Sequence, residues 1–269
     1  MTPQRCAAPD VSSETLAAAL ANRALEAHYQ PSISCASQAL VGFEALPRWP
    51  HADLGLIMPD QFLPIAERSG LIGELTRQVI ENALSWFAKS FRETPITITL
   101  NLSAMALSHP QLPGWLFECC TGAAMDPGRV ILAVAEIDAI AHQAKIARVM
   151  MQLRIHGFLF CIKNFGVGYS SLLQLAQLPF SELKVDSRFV TQASVSERSR
   201  EVITNVIGVS RAVGQRVTAD GVEDDWTLDF LARRGCHAAQ GSLIAPPMDG
   251  AAALAWRRSH DRARLTPGS

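Results

Sequence analysis

This chain lacks an excess of either charge: 24 Lys and Arg against 25 Asp and Glu leave a formal net charge of −1 over 269 residues. So balanced a sequence has no global electrostatic reason to bind nucleic acid or an anionic membrane. The Arg257-Arg258 pair is read as a solvated helix end. Cysteine lacks any pattern: Cys6, Cys35, Cys119, Cys120, Cys161 and Cys236 form no CxxC pair and show no Cys/His ligand spacing, so no zinc signature is present. They read as reduced, mostly buried thiols. The histidines are scattered, with no Ser-His-Asp arrangement. His28 and His237 flank apolar segments and read as satisfied structural histidines. No apolar run reaches the length of a membrane-spanning helix and the N-terminus has no signal-peptide core, so a cytoplasmic location is expected.

What is there is apolar: 48% hydrophobic residues, enough for a sizeable core in one large domain. Residues 1–13, rich in Pro, Ser and Ala, are expected to be a disordered leader, 14–259 a single domain, and 260–269 a tail. A helix is expected from Ser13 to Ala27, capped by Ser12 or Ser13. Apolar strands then end near Ser34, Leu46, Asn101, Ala135, Lys163, Lys184, Ala219 and Ala239. Helical segments separate most of them, notably Leu71–Ser90, Ala139–His156, Arg198–Val213 and Trp226–Arg234. Strands interleaved with helices argue for a parallel sheet, and about eight repeats suggest closure into an α/β barrel.

The stretch Ile162-Lys163-Asn164-Phe165-Gly166-Val167-Gly168-Tyr169-Ser170-Ser171 carries the most information. An apolar run from Phe158 leads into a glycine-punctuated loop and then Ser170, a helix cap. Such strand-to-loop junctions are where an α/β barrel presents its chemistry. The residues presented are a cation, Lys163, and a neutral amide, Asn164. Neither holds a divalent cation as a carboxylate would. In chain order, the strand ends offer Glu44, Asn101, Ala133 with Glu136, Lys163 with Asn164, Lys184, Asp220 and Gln240.

Glu44-Ala45-Leu46 stands inside Gly42-Phe43-Glu44-Ala45-Leu46-Pro47-Arg48-Trp49, between Tyr29-Gln30-Pro31 and Phe62-Leu63-Pro64-Ile65-Ala66-Glu67. Asn101-Leu102-Ser103, Leu183-Lys184-Val185-Asp186, Gly221-Val222-Glu223 and Gln240-Gly241 follow. In these motifs and their order the sequence resembles the EAL family of cyclic-di-GMP phosphodiesterases over nearly its whole length. The resemblance implies a modified TIM barrel of the EAL type with one antiparallel strand. It also implies a site where two divalent cations activate a water against a phosphodiester, assisted by a lysine. Glu44, Asn101, Lys184 and Gln240 match retained family positions. Where the family has a glutamate, two adjacent aspartates and a further glutamate, this chain has Ala133, Lys163, Asn164 and the shorter Asp220. Glu136 is no substitute, because Pro127–Leu132 on one side and the spacing to Gly157 on the other both put Ala133 at the ligand position.

Glu44 and Asp220 against Lys163 and Lys184 make the ring neutral before any metal arrives. Two divalent cations would place uncompensated charge in a partly desolvated cleft, at a cost of several kcal/mol. No cofactor is therefore expected, neither Mg nor Mn, and phosphodiesterase activity is expected to be lost. The expected function is a non-hydrolytic cyclic-di-GMP receptor. Its ligand set would comprise Gln30, Glu44, Leu46, Arg48 and Phe62, together with Asn101, Lys163, Lys184, Asp220 and Gln240. Arg48 follows a strand end and its fork suits a phosphate. Structural roles stay open for the others: a Glu44–Lys163 salt bridge, Asn101 capping the helix near Ser103, Lys184 paired with Asp186 or Asp220, and Gln240-Gly241 as a turn. Partners implied by the resemblance are a PilZ-type adaptor or a transcription regulator, and a homodimer through Phe165–Leu175. A ligand-free interaction module, and a residual phosphodiesterase using Glu44, Asn101 and Glu136, are the alternatives. A cyclase lacks its Gly-Gly-Asp/Glu-Glu-Phe signature.

Overall fold

The computed structural model describes residues 11–141, 143–165 and 178–265. The expected leader lies almost entirely outside these residues, as do the loop after Phe165, most of the Phe165–Leu175 dimer segment and the end of the tail.

Eight strands close into a barrel. They are β1 (Glu26–Ser34), β2 (Leu40–His51), β4 (Thr97–Asn101), β5 (Val130–Ala135), β6 (Leu159–Phe165), β7 (Glu182–Val185), β8 (Arg216–Asp220) and β9 (Ala238–Gln240). A ninth, β3 (Gly55–Ile57), pairs only with the far end of β2. The sheet runs β1-β9-β8-β7-β6-β5-β4-β2 and closes by pairing β1 with β2. β1 is antiparallel to both neighbours, and the other barrel pairs are parallel. This is the TIM-type barrel with one reversed strand that the resemblance implies.

The pattern follows from burial. β5, Val-Ile-Leu-Ala-Val-Ala, is covered on both faces and reads as a continuous apolar run. β1 alternates, with Ala27, Tyr29, Pro31 and Ile33 buried outward and Glu26, His28, Gln30 and Ser32 on the other face. Helices pack on the outside. α1 (Ser13–Ala21) begins at a capping box in which Ser12 Oγ accepts from the Thr15 amide. α2 (Pro59–Ser69) leads into α3 (Ile72–Phe91), which buries Leu75, Val79, Ala83 and Phe87 at helical spacing. α4 (Ala104–Leu107), α5 (Leu112–Gly122), α6 (Glu136–Ala141), α7 (Gln143–Ile155), α8 (Ser187–Val190), α9 (Glu197–Ala212), α10 (Asp225–Arg234) and α11 (Gly250–Leu265) complete the layer. An aromatic cluster joins the reversed strand to this layer. Tyr29 stacks on Trp86 with ring centroids 3.6 Å apart, and the Trp86 indole donates to the Gly250 carbonyl at 3.2 Å.

Three boundaries differ from expectation. α1 stops at Ala21 rather than Ala27, because residues from Glu26 onward spend their backbone groups on β2, with Glu26 opposite Arg48. β2 does not end near Leu46 but continues to His51, so Arg48 lies within a strand. The last helix runs to Leu265, past the boundary at 259, and an Arg257–Asp261 pair at 3.4 Å spans that point.

Candidate functional site

Alternation along the strands sorts side chains into layers across the barrel lumen. Register sets Ile131 beside Leu159, Ala133 beside Cys161 and Ala135 beside Lys163. Ile131, Ala133 and Cys161 form a small buried apolar cluster of their own, separate from the main core. Ala133 thus offers only a methyl at this level of the lumen. It stands directly beside Asn101 on β4.

Above this cluster lies a connected polar ring. Asn101 Nδ2 donates to Glu44 Oε1 at 2.8 Å, and Lys163 Nζ donates to Asn101 Oδ1 at 2.7 Å. The other Glu44 oxygen accepts a short salt bridge from Lys184 and a bond from Gln240 Nε2 at 2.9 Å. Lys184 also donates to Gln240 Oε1 at 3.1 Å and lies 3.4 Å from Asp220 Oδ2. Gln240 Nε2 donates to Gln30 Oε1 at 2.9 Å, and Gln30 donates onward to the Ala245 carbonyl at 3.1 Å. Seven strands, β1, β2, β4, β6, β7, β8 and β9, therefore contribute to one network.

The electrostatics follow from burial and sign. Burial opposes ionisation of Glu44, but the Lys184 and Lys163 ammoniums and the Asn101 amide outweigh it and hold the carboxyl at about 2. Burial likewise opposes the charge on Lys184, yet Asp220 and Glu44 raise its pKa above the ordinary lysine value. Lys163 moves the other way: burial lowers its pKa, against the pull of Glu44. Burial raises Asp220, only partly countered by Lys184.

Several structural alternatives are now resolved. Glu44 pairs with Lys184 rather than directly with Lys163, whose ammonium reaches it through Asn101. Asn101 does not cap the following helix; Ser103 Oγ accepts from the Ala106 amide there. Lys184 takes Asp220, while Asp186 caps α8 by accepting from the Arg188 amide at 2.9 Å. Gln240 lies within β9 rather than in a turn. Phe62 leaves the candidate set: it has no exposed surface and packs edge-on against Trp49, 6.2 Å between centroids. Its place next to the EAL segment was legible in the sequence, but its direction, into the core under α2, was not.

Asn164 stands exposed at the lip with φ 58°, a left-handed conformation that asparagine tolerates better than most residues. A cavity of about 390 Å³ opens beside the ring, with Leu46, Pro47, Leu63, Asn101, Lys163 and Asn164 in its wall. Arg48 is nearly buried on the lumen face, where its Nη1 donates to the Pro47 carbonyl at 2.8 Å. Among the described residues no carboxylate lies within salt-bridge distance of it. Among the same residues, no three His, Cys, Asp or Glu side chains cluster closely enough to hold a metal ion. No helix among them is long and apolar enough to cross a membrane.

A closed barrel with one reversed strand and a buried Glu-Lys-Asn-Gln ring at its mouth defines a narrow structural class. An EAL domain family model matches residues 13–247, and the chain belongs to that family. It is 34% identical over 241 residues to MucR of Pseudomonas aeruginosa, a bifunctional diguanylate cyclase/cyclic di-GMP phosphodiesterase, covering 88% of this chain and 35% of MucR. It is 30% identical over 242 residues to the cyclic di-GMP phosphodiesterase PdeL of Escherichia coli, covering 89% of this chain and 67% of PdeL. Among solved structures, the Pseudomonas aeruginosa MucR phosphodiesterase in complex with c-di-GMP has a TM-score of 0.85 at 33% identity, covering 89% of this chain and 98% of that one. The chain spans about a third of the first curated relatives' length, 35%, 31% and 32%.

Proposed function

We propose that this chain is a metal-independent receptor domain that binds cyclic di-GMP without hydrolysing it and relays the bound state to a protein partner. The observation that carries the reading is the Lys163 ammonium, 2.7 Å from Asn101 Oδ1 and inside the ring around Glu44. Both Glu44 oxygens and the Asn101 oxygen already accept from nitrogen donors. A divalent cation needs those oxygens bare and several of them anionic. With Ala133 contributing no oxygen and two lysines cancelling Glu44 and Asp220, the donor set does not fit two such cations.

The same residues suit an anionic dinucleotide. Lys163 and Arg48 are cations on the lumen face, and among the described residues no carboxylate lies within salt-bridge distance of Arg48. A guanidinium fork and an ammonium match phosphodiester oxygens. The MucR phosphodiesterase, of the same family, has been solved in complex with c-di-GMP.

Two readouts on one sample test this. Cyclic di-GMP in EDTA is expected to raise the melting temperature, since a ligand held only by the folded state stabilises it. Incubation with Mg²⁺ or Mn²⁺ is expected to yield no linear dinucleotide. Conversion abolished by Lys184→Ala would establish a working phosphodiesterase instead. Unchanged melting in every buffer would leave the barrel as a protein-interaction module.

A further inference from the structure

His28 does not flank β1; it lies inside it, on the face that carries Gln30. β1 pairs antiparallel with β2, setting Gln30 opposite Glu44, His28 opposite Leu46 and Glu26 opposite Arg48. Gln30 and Glu44 belong to the ring, so His28 stands one step above it and Arg48 two, diagonal neighbours at the rim. On its other side His28 meets the segment leading into α11. The Tyr29 amide donates to the Met248 carbonyl at 2.7 Å, and Gln30 donates to the Ala245 carbonyl at 3.1 Å. His28 thus lies between this segment and the strand that carries Arg48, and it is only partly buried.

We propose that His28 is a binding residue for the anionic ligand, facing the same phosphodiester as Arg48 and taking up a proton when the ligand arrives. This rests on the receptor reading above. Three charged groups act on the imidazole: Arg48 from β2, Glu26 from β1 and Asp249 just before α11. Burial and then Arg48 lower the imidazole pKa, while Glu26, Asp249 and the Pro247 carbonyl oppose them. In the free protein the ring is therefore neutral near neutral pH. A phosphodiester beside it supplies an anion that favours the imidazolium. Proton uptake on binding makes affinity rise as pH falls, by linkage.

The test is the affinity for cyclic di-GMP in EDTA at about pH 7.5 and about pH 5.5, for the wild type and for His28→Gln. The wild type is expected to bind about fivefold tighter or more at the lower pH, and His28→Gln to lose that gain. A flat wild-type profile overturns the inference, as does an equal gain in His28→Gln, which would assign the proton to another group such as Asp220. Wild-type binding absent at every pH overturns the receptor reading and this inference together. Binding with either of the other outcomes leaves the receptor reading standing. Should His28→Gln fold poorly, the His28 ring proton in the wild type is followed by NMR: the ligand is expected to raise its titration midpoint, and an unmoved midpoint overturns the inference.

Discussion

Glu44 is kept ionised by its neighbours rather than by water, and the sign of that dependence is testable. Its folded value, about 2, lies below the ordinary 4.5. The stability it contributes is complete above the unfolded value and lost as the pH falls from there through about 2. Lys184 supplies the leading attraction after burial has opposed the charge. Lys184→Met leaves buried Glu44 and partly exposed Asp220 without their ammonium and is expected to cost about 3–5 kcal/mol in urea unfolding. Its acid-induced loss of stability is also expected to begin at higher pH than in the wild type. An unchanged urea midpoint together with an unchanged acid limb would mean that the pair is not structural. Arg48 and His28 show what sequence alone could not resolve. Their side-chain direction depends on a strand that continues past Leu46, and only the cross-strand partner Glu26 reveals that continuation.

At the scale of elements, β9 is the shortest barrel strand and carries Gln240, which bonds Glu44, Lys184 and Gln30 at once. Its end is sealed by Gly241. A Cβ there would lie 2.1 Å from the Val222 carbonyl oxygen and 2.2 Å from the Val222 nitrogen, backbone atoms that have no rotamer to yield. Gly241→Ala is expected to cost about 3 kcal/mol in denaturant unfolding and to weaken ligand binding through Gln240. Wild-type stability in that variant would mean that the backbone around Val222, after β8, is free to shift. The alternation of apolar strands and amphipathic helices was legible along the chain because its two periods differ. Boundaries were less so. Nothing local distinguishes Asn22–Ala27 from more helix; the decision is made by pairing with β2, about twenty residues away in sequence.

For the molecule as a whole, one reversed strand closes the barrel and also brings Gln30 and His28 to the mouth. The barrel order and the convergence of Glu44, Asn101, Lys163, Lys184 and Gln240 on one mouth were readable from motifs. The wiring of the ring was not, because which lysine takes Glu44 depends on reach across the lumen rather than on spacing. The charge balance of that ring bears on the central claim, and calorimetric titration of cyclic di-GMP in EDTA and again in excess Mg²⁺ tests it most directly. Micromolar or tighter binding of equal strength in both buffers is the expected result. Binding that appears or strengthens markedly only with Mg²⁺ would contradict a metal-independent receptor and return the site to metal-dependent chemistry.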